Sequence, residues 1–262
     1  IEENYNKGRK TALTIDKWFE SRINLSIKNT TDALDNMLFK SAVQHSFLDM
    51  HRGLKWYLKR TNNNPNKDLI NFYIETTIKL LTPFTPHFCE ECWEAIGKKS
   101  FASNEKWPIA NLRPIDHEQD YSEELIKNTL SDIREVLKLA KIERPRSIQL
   151  FVSDSWKYEL FKKANTLLKK TRDYKVLLKE IMKNDELKRH GNEISKSLPK
   201  MIGSSKIPQI ILTQKQEFTA IKESLDFIKS EFNCKASVME AEKSKEAKAK
   251  QAMPGKVAIL VE

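Results

Sequence analysis

The stretch TPFTPHFCEECWEAIG, Thr82 to Gly97, crowds His87, Cys89 and Cys92 together. Imidazole and thiolate are zinc-ligand types, but a structural zinc takes four ligands, usually as two close pairs. The third cysteine, Cys234, lies far along the chain with no histidine beside it. Small buried hydrophobes are therefore expected at Cys89 and Cys92, and no metal site. Other catalytic patterns are missing. The six glycines form no G-x-G-x-x-G or phosphate loop, and neither G-x-S-x-G nor H-E-x-x-H occurs. His45, His51, His87, His117 and His190 stand singly. The carboxylate pairs Glu90–Glu91 and Glu123–Glu124 are sequence neighbours, whose side chains diverge on a helix. No catalytic residue is expected in this chain, and no cofactor.

Basic side chains are what remains. The formal charge is +10, and it is uneven. Between Lys141 and Lys206, 17 Lys and Arg face 8 Asp and Glu, a net of +9; residues 1–115 carry +4 and residues 116–140 carry −4. A concentrated basic segment favours a polyanion, bound more weakly as salt rises; a solvated lysine surface has the same composition. No run approaches the ~20 apolar residues of a membrane span, and no secretion signal is present. Three cysteines in 262 residues argue against a disulfide scaffold and fit a reducing, cytoplasmic setting. Opening on Ile1 rather than Met, the chain is expected to be a fragment or a processed product.

The elements that hold these residues follow from periodicity. Ile15, Trp18, Phe19, Ile23, Ile27, Leu34 and Met37 form one helical stripe, with Thr14 as cap and Asp16 in the first turn. Phe39, Val43, Phe47, Met50, Leu54 and Tyr57 form a second, ended by KRTNNNPNKD around Pro65. A third helix over 68–81 is apolar all round and so central. Pro83 and Pro86 stop it; Thr85 caps the next helix with Pro86 in its first turn, and Phe88, Cys92, Trp93 and Ile96 share its face. The opening stretch is thus a hinge between core helices. Residues 98–120 read as an irregular linker, and helix returns over 122–141. Four short strands then alternate with helices: SIQLFV, PQIILT, KASVME and KVAILVE, with a single helix over 218–232 and a charged tract, 240–251, expected as a mobile loop or short helix. The fold class is mostly α: a helical bundle over 1–115, then a small α+β domain over 116–262 with a short mixed sheet.

IDKWFESRINLSI, LKWYLKR and LLTPFTPHFCEECWEAIG together resemble the anticodon-binding helical bundle of class I aminoacyl-tRNA synthetases. RPRSIQLFVSDSWKYELFKKA, NDELKRHGNEISKSLPKMI and AMPGKVAILVE are similar to the C-terminal domain of archaeal and eukaryotic-type leucyl-tRNA synthetases. Cys92 departs from that family, which usually has an aliphatic residue there. The resemblance implies a tRNA-holding C-terminal part of a leucine–tRNA ligase that acts as a monomer in the cytoplasm. Its partners would be tRNA(Leu) and the upstream catalytic and editing domains of the same polypeptide. ATP and magnesium would belong to that upstream core, whose HIGH-type and KMSKS-type signatures this chain lacks. In the family the bundle lies along the tRNA corner and anticodon stem, and the small domain grips the long variable arm.

For that task the bundle offers Arg22, Lys28, Arg52, Lys55, Lys59 and Arg60, largely off the apolar stripes. The turn AKIERPRS offers Lys141, Arg144 and Arg146, with backbone at Ile142 and Glu143 open to splayed bases and Pro145 stiffening the loop. Lys162, Lys163, Lys169, Lys170 and Arg172, then Lys188 and Arg189, are further phosphate contacts. Two alternatives stand beside this reading: a helical module that docks on proteins, and the same region of a valyl- or isoleucyl-type synthetase.

Overall fold

The computed structural model describes residues 4–113, 116–203 and 212–262. The chain divides into two compact units, residues 1–119 and 120–262. Among the described residues no helix is long and apolar enough to cross a membrane.

In the first unit the expected first stripe becomes α1, Thr14–Asp35, burying Ile15, Trp18, Phe19, Ile23 and Ile27. Two details differ from expectation. The N-cap is Leu13, not Thr14: its extended backbone lets the Leu13 N–H reach Asp16 Oδ2 at 2.8 Å. Met37 lies past the helix end with φ +58° and is 72% exposed, so it leaves the stripe. Ahead of α1 a strap is fixed to the turn at Pro65, with Arg9 N–H on Pro65 O and Lys67 N–H on Arg9 O, both 2.9 Å. Gly8 belongs to this strap at φ +127°, where a Cβ would collide with the Pro65 carbonyl.

The second stripe is carried by α2 (Phe39–Val43), a π-helical stretch Gln44–Asp49 and α3 (Met50–Arg60). Its buried residues are Ala42, Ser46, Met50, Gly53 and Tyr57; Phe39 and Phe47 are exposed and Val43 and Leu54 half-buried, contrary to the expected face. Size decides this. A Cβ on Gly53 would stand 3.7 Å from the Phe19 ring, so only small residues fit where the helices approach, and the large ones slide to the flank. The π turn marks the same adjustment.

α4, Lys67–Leu81, is central as expected, burying Ile70, Tyr73, Ile74, Ile78 and Leu80. Asn66 Oδ1 caps it. After the proline hinge comes α5, Pro86–Ala95, with Thr85 at the cap position, although its hydroxyl turns back to Leu81 O rather than bonding the new helix. Its buried face is Cys89, Trp93 and Ile96; Phe88, expected there, is 60% exposed. The following segment runs along α1 in the reverse direction: Trp107 Nε1 donates to Thr31 Oγ1, Asn111 N to Asn24 Oδ1, and Asp116 N to Ser21 Oγ. α6, His117–Ala140, begins earlier than periodicity indicates because the Asp116 carboxylate caps it.

The second unit holds three strands among the described residues: β1 (Ser147–Val152), β2 (Lys235–Glu240) and β3 (Ala258–Val261), in the order β2-β1-β3. β1 runs parallel to β2, with Ser147 opposite Lys235 and Val152 opposite Glu240, and antiparallel to β3. Thus the sheet is mixed. PQIILT lies outside the described residues except for Leu212 and Thr213, and Thr213 caps a helix.

Between β1 and β2 the chain forms α7 (Ser155–Leu168), α8 (Tyr174–Ile181), α9 (Asp185–Lys188) and α10 (Gly191–Gly203), whose core includes Trp156, Leu160, Leu177, Leu187, Ile194 and Leu198. The expected single helix over 218–232 is two, α11 (Gln214–Glu223) and α12 (Leu225–Phe232). They break at buried Ser224, whose hydroxyl bonds back to Ala220 O and Ile221 O. The charged tract is a structured crossing with two short 3₁₀ turns, Ala241–Lys243 and Ala249–Gln251.

Candidate nucleic-acid interface

In the first unit the basic side chains sort by their neighbours. Gly53 brings α3 against Phe19 and Arg22, so Arg22 and Arg52 both lie near Asp49. Burial pushes the Asp49 carboxyl up, but hydrogen bonds from Gln44 Nε2 and His45 Nδ1 and the nearby Arg22 charge outweigh it and hold the group low. Arg22 and Arg52 therefore lie beside this anionic centre at the π turn, with the Arg52 side chain 72% exposed and 3.5 Å from Asp49. Lys28 is tied to Asp32 at 2.7 Å. Lys59 and Arg60 occupy the last turn of α3, where they meet the negative end of its dipole. Lys55 is exposed, with no carboxylate partner among the described residues.

The AKIERPRS turn has the more definite geometry. Lys141, at φ +56°, closes α6 in the left-handed region. The Ile142 N–H returns to Leu137 O at 3.0 Å, which corrects one expectation: that donor is spent on the helix end and is not open to bases. Glu143 and Arg144 follow, both exposed. Pro145 is buried, and the chain is clamped where it enters β1, with Arg146 N–H and Ser147 N–H both on Glu262 O and Lys235 N–H on Arg146 O. The turn therefore carries Lys141, Arg144 and Arg146 outward on a backbone held at both ends. Little side-chain freedom beyond their own rotamers is lost on binding.

The remaining candidates lie on the helical layer α7–α10. Lys162 is exposed and Lys163 half-buried on α7, with Lys163 close enough to Glu180 to help its Lys183 partner hold that carboxyl low. Lys169 and Lys170 follow the end of α7, and Arg172 lies in the loop to α8, all exposed. Lys188 pairs with Asp185 at 2.9 Å, while neighbouring Arg189 is exposed. Beside them His190 stacks on Trp156, ring centroids 4.3 Å apart and 3° from parallel, which anchors the α9–α10 corner.

Sequence reasoning missed two things here. Lys157 is only 4% exposed, its ammonium held by the Lys250 and Ala252 carbonyls at 2.9 Å and by Asp154 at 3.2 Å. Its place on the apolar side of α7, one residue after Trp156, was the available signal. Glu217 is buried too: Tyr158 Oη donates to Oε2 and Gly255 N–H to Oε1, both at 2.7 Å. Burial drives its pKa up to about 7 against those donors.

Cys89 belongs to the first unit's core, with Thr85 Oγ1 at 3.5 Å, whereas His87 is exposed; the two do not converge. Among the described residues no group of three or more His, Cys, Asp and Glu could hold a metal. A groove of about 290 Å³ lies beside Cys89 and Cys92, lined by Phe47, Leu54, Ile74 and Phe88 among others and nearly without polar atoms.

The family model described as the anticodon-binding domain of tRNA ligase matches residues 16–152, from the first turn of α1 to the end of β1. The chain is 34% identical over 251 residues to the leucine–tRNA ligase of Pyrococcus furiosus, covering 95% of the chain and 25% of that protein. It is 32% identical over 259 residues to that of Pyrococcus horikoshii (98% and 26%) and 34% identical over 258 to that of Methanosarcina barkeri (95% and 26%). The chain spans about a quarter of the length of these relatives.

Proposed function

Because this chain belongs to the family of anticodon-binding domains of tRNA ligases, we propose that it is the tRNA-holding, C-terminal part of a leucine–tRNA ligase. The observation that carries the choice of amino acid is likeness beyond the family model's end. Past residue 152 that model no longer matches, yet the similarity to leucine–tRNA ligases continues over 95% of the chain. On this reading the bundle, residues 1–115, supports the tRNA corner and stem, and residues 116–262 grip the long variable arm of tRNA(Leu). ATP and magnesium belong to the part of the relatives' length outside this chain, so the reaction and its catalytic residues lie there too. The protein works in the cytoplasm as a monomer.

The physical task is to hold a folded polyanion in one register. Exposed Lys141, Arg144 and Arg146 on a clamped turn are suited to it: phosphates supply affinity, and the backbone around Glu143 and Arg144 is open to unstacked bases. Lys163, Lys170, Arg172, Lys188 and Arg189 extend the basic surface over the helical layer. In the bundle Lys55 is the best-placed contact, with Arg22, Lys28, Arg52, Lys59 and Arg60 secondary.

The test is binding of the 262-residue chain to a leucine tRNA and to a tRNA with a short variable arm, at low and moderate salt. Tighter, salt-sensitive binding of the long-armed tRNA is expected. The double variant Arg144→Ala/Arg146→Ala should bind it roughly tenfold or more weakly, since each lost charged contact is worth ~1–3 kcal/mol. Equal affinity for the two tRNAs would remove the variable-arm reading.

A further inference from the structure

Residues 241–257 cross from β2 to β3, and the loop is fixed from beneath. Lys157, buried on α7, donates to the Lys250 and Ala252 carbonyls, and Ser153 Oγ donates to the same Ala252 oxygen at 3.0 Å. Ala249 and Ala252 are buried with Phe151, Ala241 and Ala258. Farther along, Met253 and Lys256 bond each other's backbone at 2.9 and 2.8 Å, and Gly255 N–H is held by Glu217. Burying an ammonium is costly even beside a carboxylate. A merely solubilising lysine tract gains nothing from such an anchor.

The outer side of the loop carries the reverse arrangement. Lys245, Lys248 and Lys250 are exposed, and none has a carboxylate partner among the described residues. Their neighbours differ: Lys243 is paired with Glu240, and Glu242 turns to the Ser155 hydroxyl at 3.3 Å. Glu246 is the one other acid in the tract. We propose that this loop is a second phosphate-binding surface for RNA, with Lys245, Lys248 and Lys250 as its contacts. The proposal rests on the reading of the chain as a tRNA-holding part.

Topology sets the length of RNA involved. The AKIERPRS turn enters β1 at Ser147, whereas the lysine loop leaves β2 at Glu240, opposite Val152. The two surfaces therefore lie at opposite ends of β1, roughly 17 Å apart at the rise of an extended strand. A ligand that touches both must span about that distance along the sheet, with phosphates at the loop end. Lysine serves at the loop because a phosphate backbone needs a charge there and no bidentate fit.

The experiment compares the 262-residue chain with its Lys245→Gln/Lys248→Gln/Lys250→Gln variant. Binding to a fluorescent leucine tRNA transcript is measured by anisotropy at several salt concentrations, with poly-glutamate as a second probe. The variant is expected to bind the RNA tenfold or more weakly at low salt. Its slope of log affinity against log salt should be shallower by about 2 to 3, at ~0.9 per phosphate contact on a duplex. Wild-type affinity and slope in the variant would overturn the loop while leaving the proposed function intact. Failure of the unmodified chain to bind RNA would overturn both. Poly-glutamate bound as tightly as RNA, and lost in the same variant, would overturn RNA in favour of an acidic protein.

Discussion

Tyr57 Oη donates to Asp16 Oδ1 at 2.7 Å, joining α3 to the first turn of α1. Tyr57 Oη in turn accepts the Asn66 N–H at 2.8 Å, and Arg9 closes on the Asp16 carboxylate from the strap. One hydroxyl thus ties together the chain's entry, a helix start and the turn before α4. Burial would push the Asp16 carboxyl up, but the bonds from Arg9, Leu13 and Tyr57 hold it below its usual value.

Tyr57→Phe should therefore cost about 1–3 kcal/mol in urea unfolding at pH 7, since Asn66 loses its acceptor and Asp16 a donor in a buried place. The pH dependence has a definite sign. Asp16 has a folded pKa below its unfolded one, so its contribution is complete above the unfolded value and is lost as pH falls. Removing a donor raises the folded pKa toward the unfolded one. The gap between Tyr57→Phe and wild type should thus narrow below about pH 4. A constant gap would mean that the hydroxyl does not act through Asp16.

Gly8→Ala tests the strap. The position combines φ +127° with a Pro65 carbonyl where a Cβ would go, so both conformation and space exclude a side chain. A loss of roughly 1–3 kcal/mol is expected. The Arg9–Pro65 and Lys67–Arg9 bonds should also open, which amide hydrogen exchange would register. Gly97→Ala is the control: its φ is also positive, but nothing lies within 4 Å of an added Cβ, so its cost is that of conformation alone.

Glu217 behaves in the opposite sense to Asp16. Its pKa is raised to about 7 by burial, so the folded protein holds its proton more tightly than the unfolded chain does. Stability from this group is complete at acid pH, below the ordinary glutamate value of about 4.3, and is lost as pH rises to about 7. Glu217→Gln should remove that decline. Compared across pH 4 to 8 by urea unfolding, the variant should gain on wild type as pH rises. Parallel curves would show that Glu217 ionises no differently in the two states.

Where the sequence was legible, one property alone decided the structure. The α1 stripe from Ile15 to Ile27, the Pro83–Pro86 hinge and β1 follow from periodicity or from a missing N–H, and each appears where expected. Where it was not, a neighbour from elsewhere in the chain decided. Phe47 has the right spacing for a core face, but small residues at Ala42, Ser46 and Gly53 let α1 approach and leave its phenyl ring outside. Phe88 on α5 is also spaced for the core, yet Cys89 and Trp93 take the buried side and leave it 60% exposed. The break at Ser224 depends on a hydroxyl bonding back along its own helix, which apolar periodicity does not register. The candidate site divides in the same way. The residues of the AKIERPRS turn are contiguous, so sequence finds them together. The lysine loop becomes a fixed surface only through Lys157, remote in sequence from the carbonyls it holds.

Lys141 offers the sharpest separation of stability from function. It occupies the left-handed position that ends α6, where glycine is the usual residue and a side chain costs about 1 kcal/mol. A lysine kept there, at the start of the basic turn, gives up helix-end stability for an exposed charge. Lys141→Gly should therefore raise the unfolding free energy by roughly 0.5–1 kcal/mol while weakening tRNA binding by about the worth of one phosphate contact. It should also reduce the salt slope by about 0.7–0.9. Lys141→Asn, whose side chain also tolerates this conformation, should do both to a lesser degree in stability and equally in charge. If the glycine variant is stabilised and binds tRNA as wild type does, the charge at this position belongs to the solvated surface, and the interface begins at Arg144.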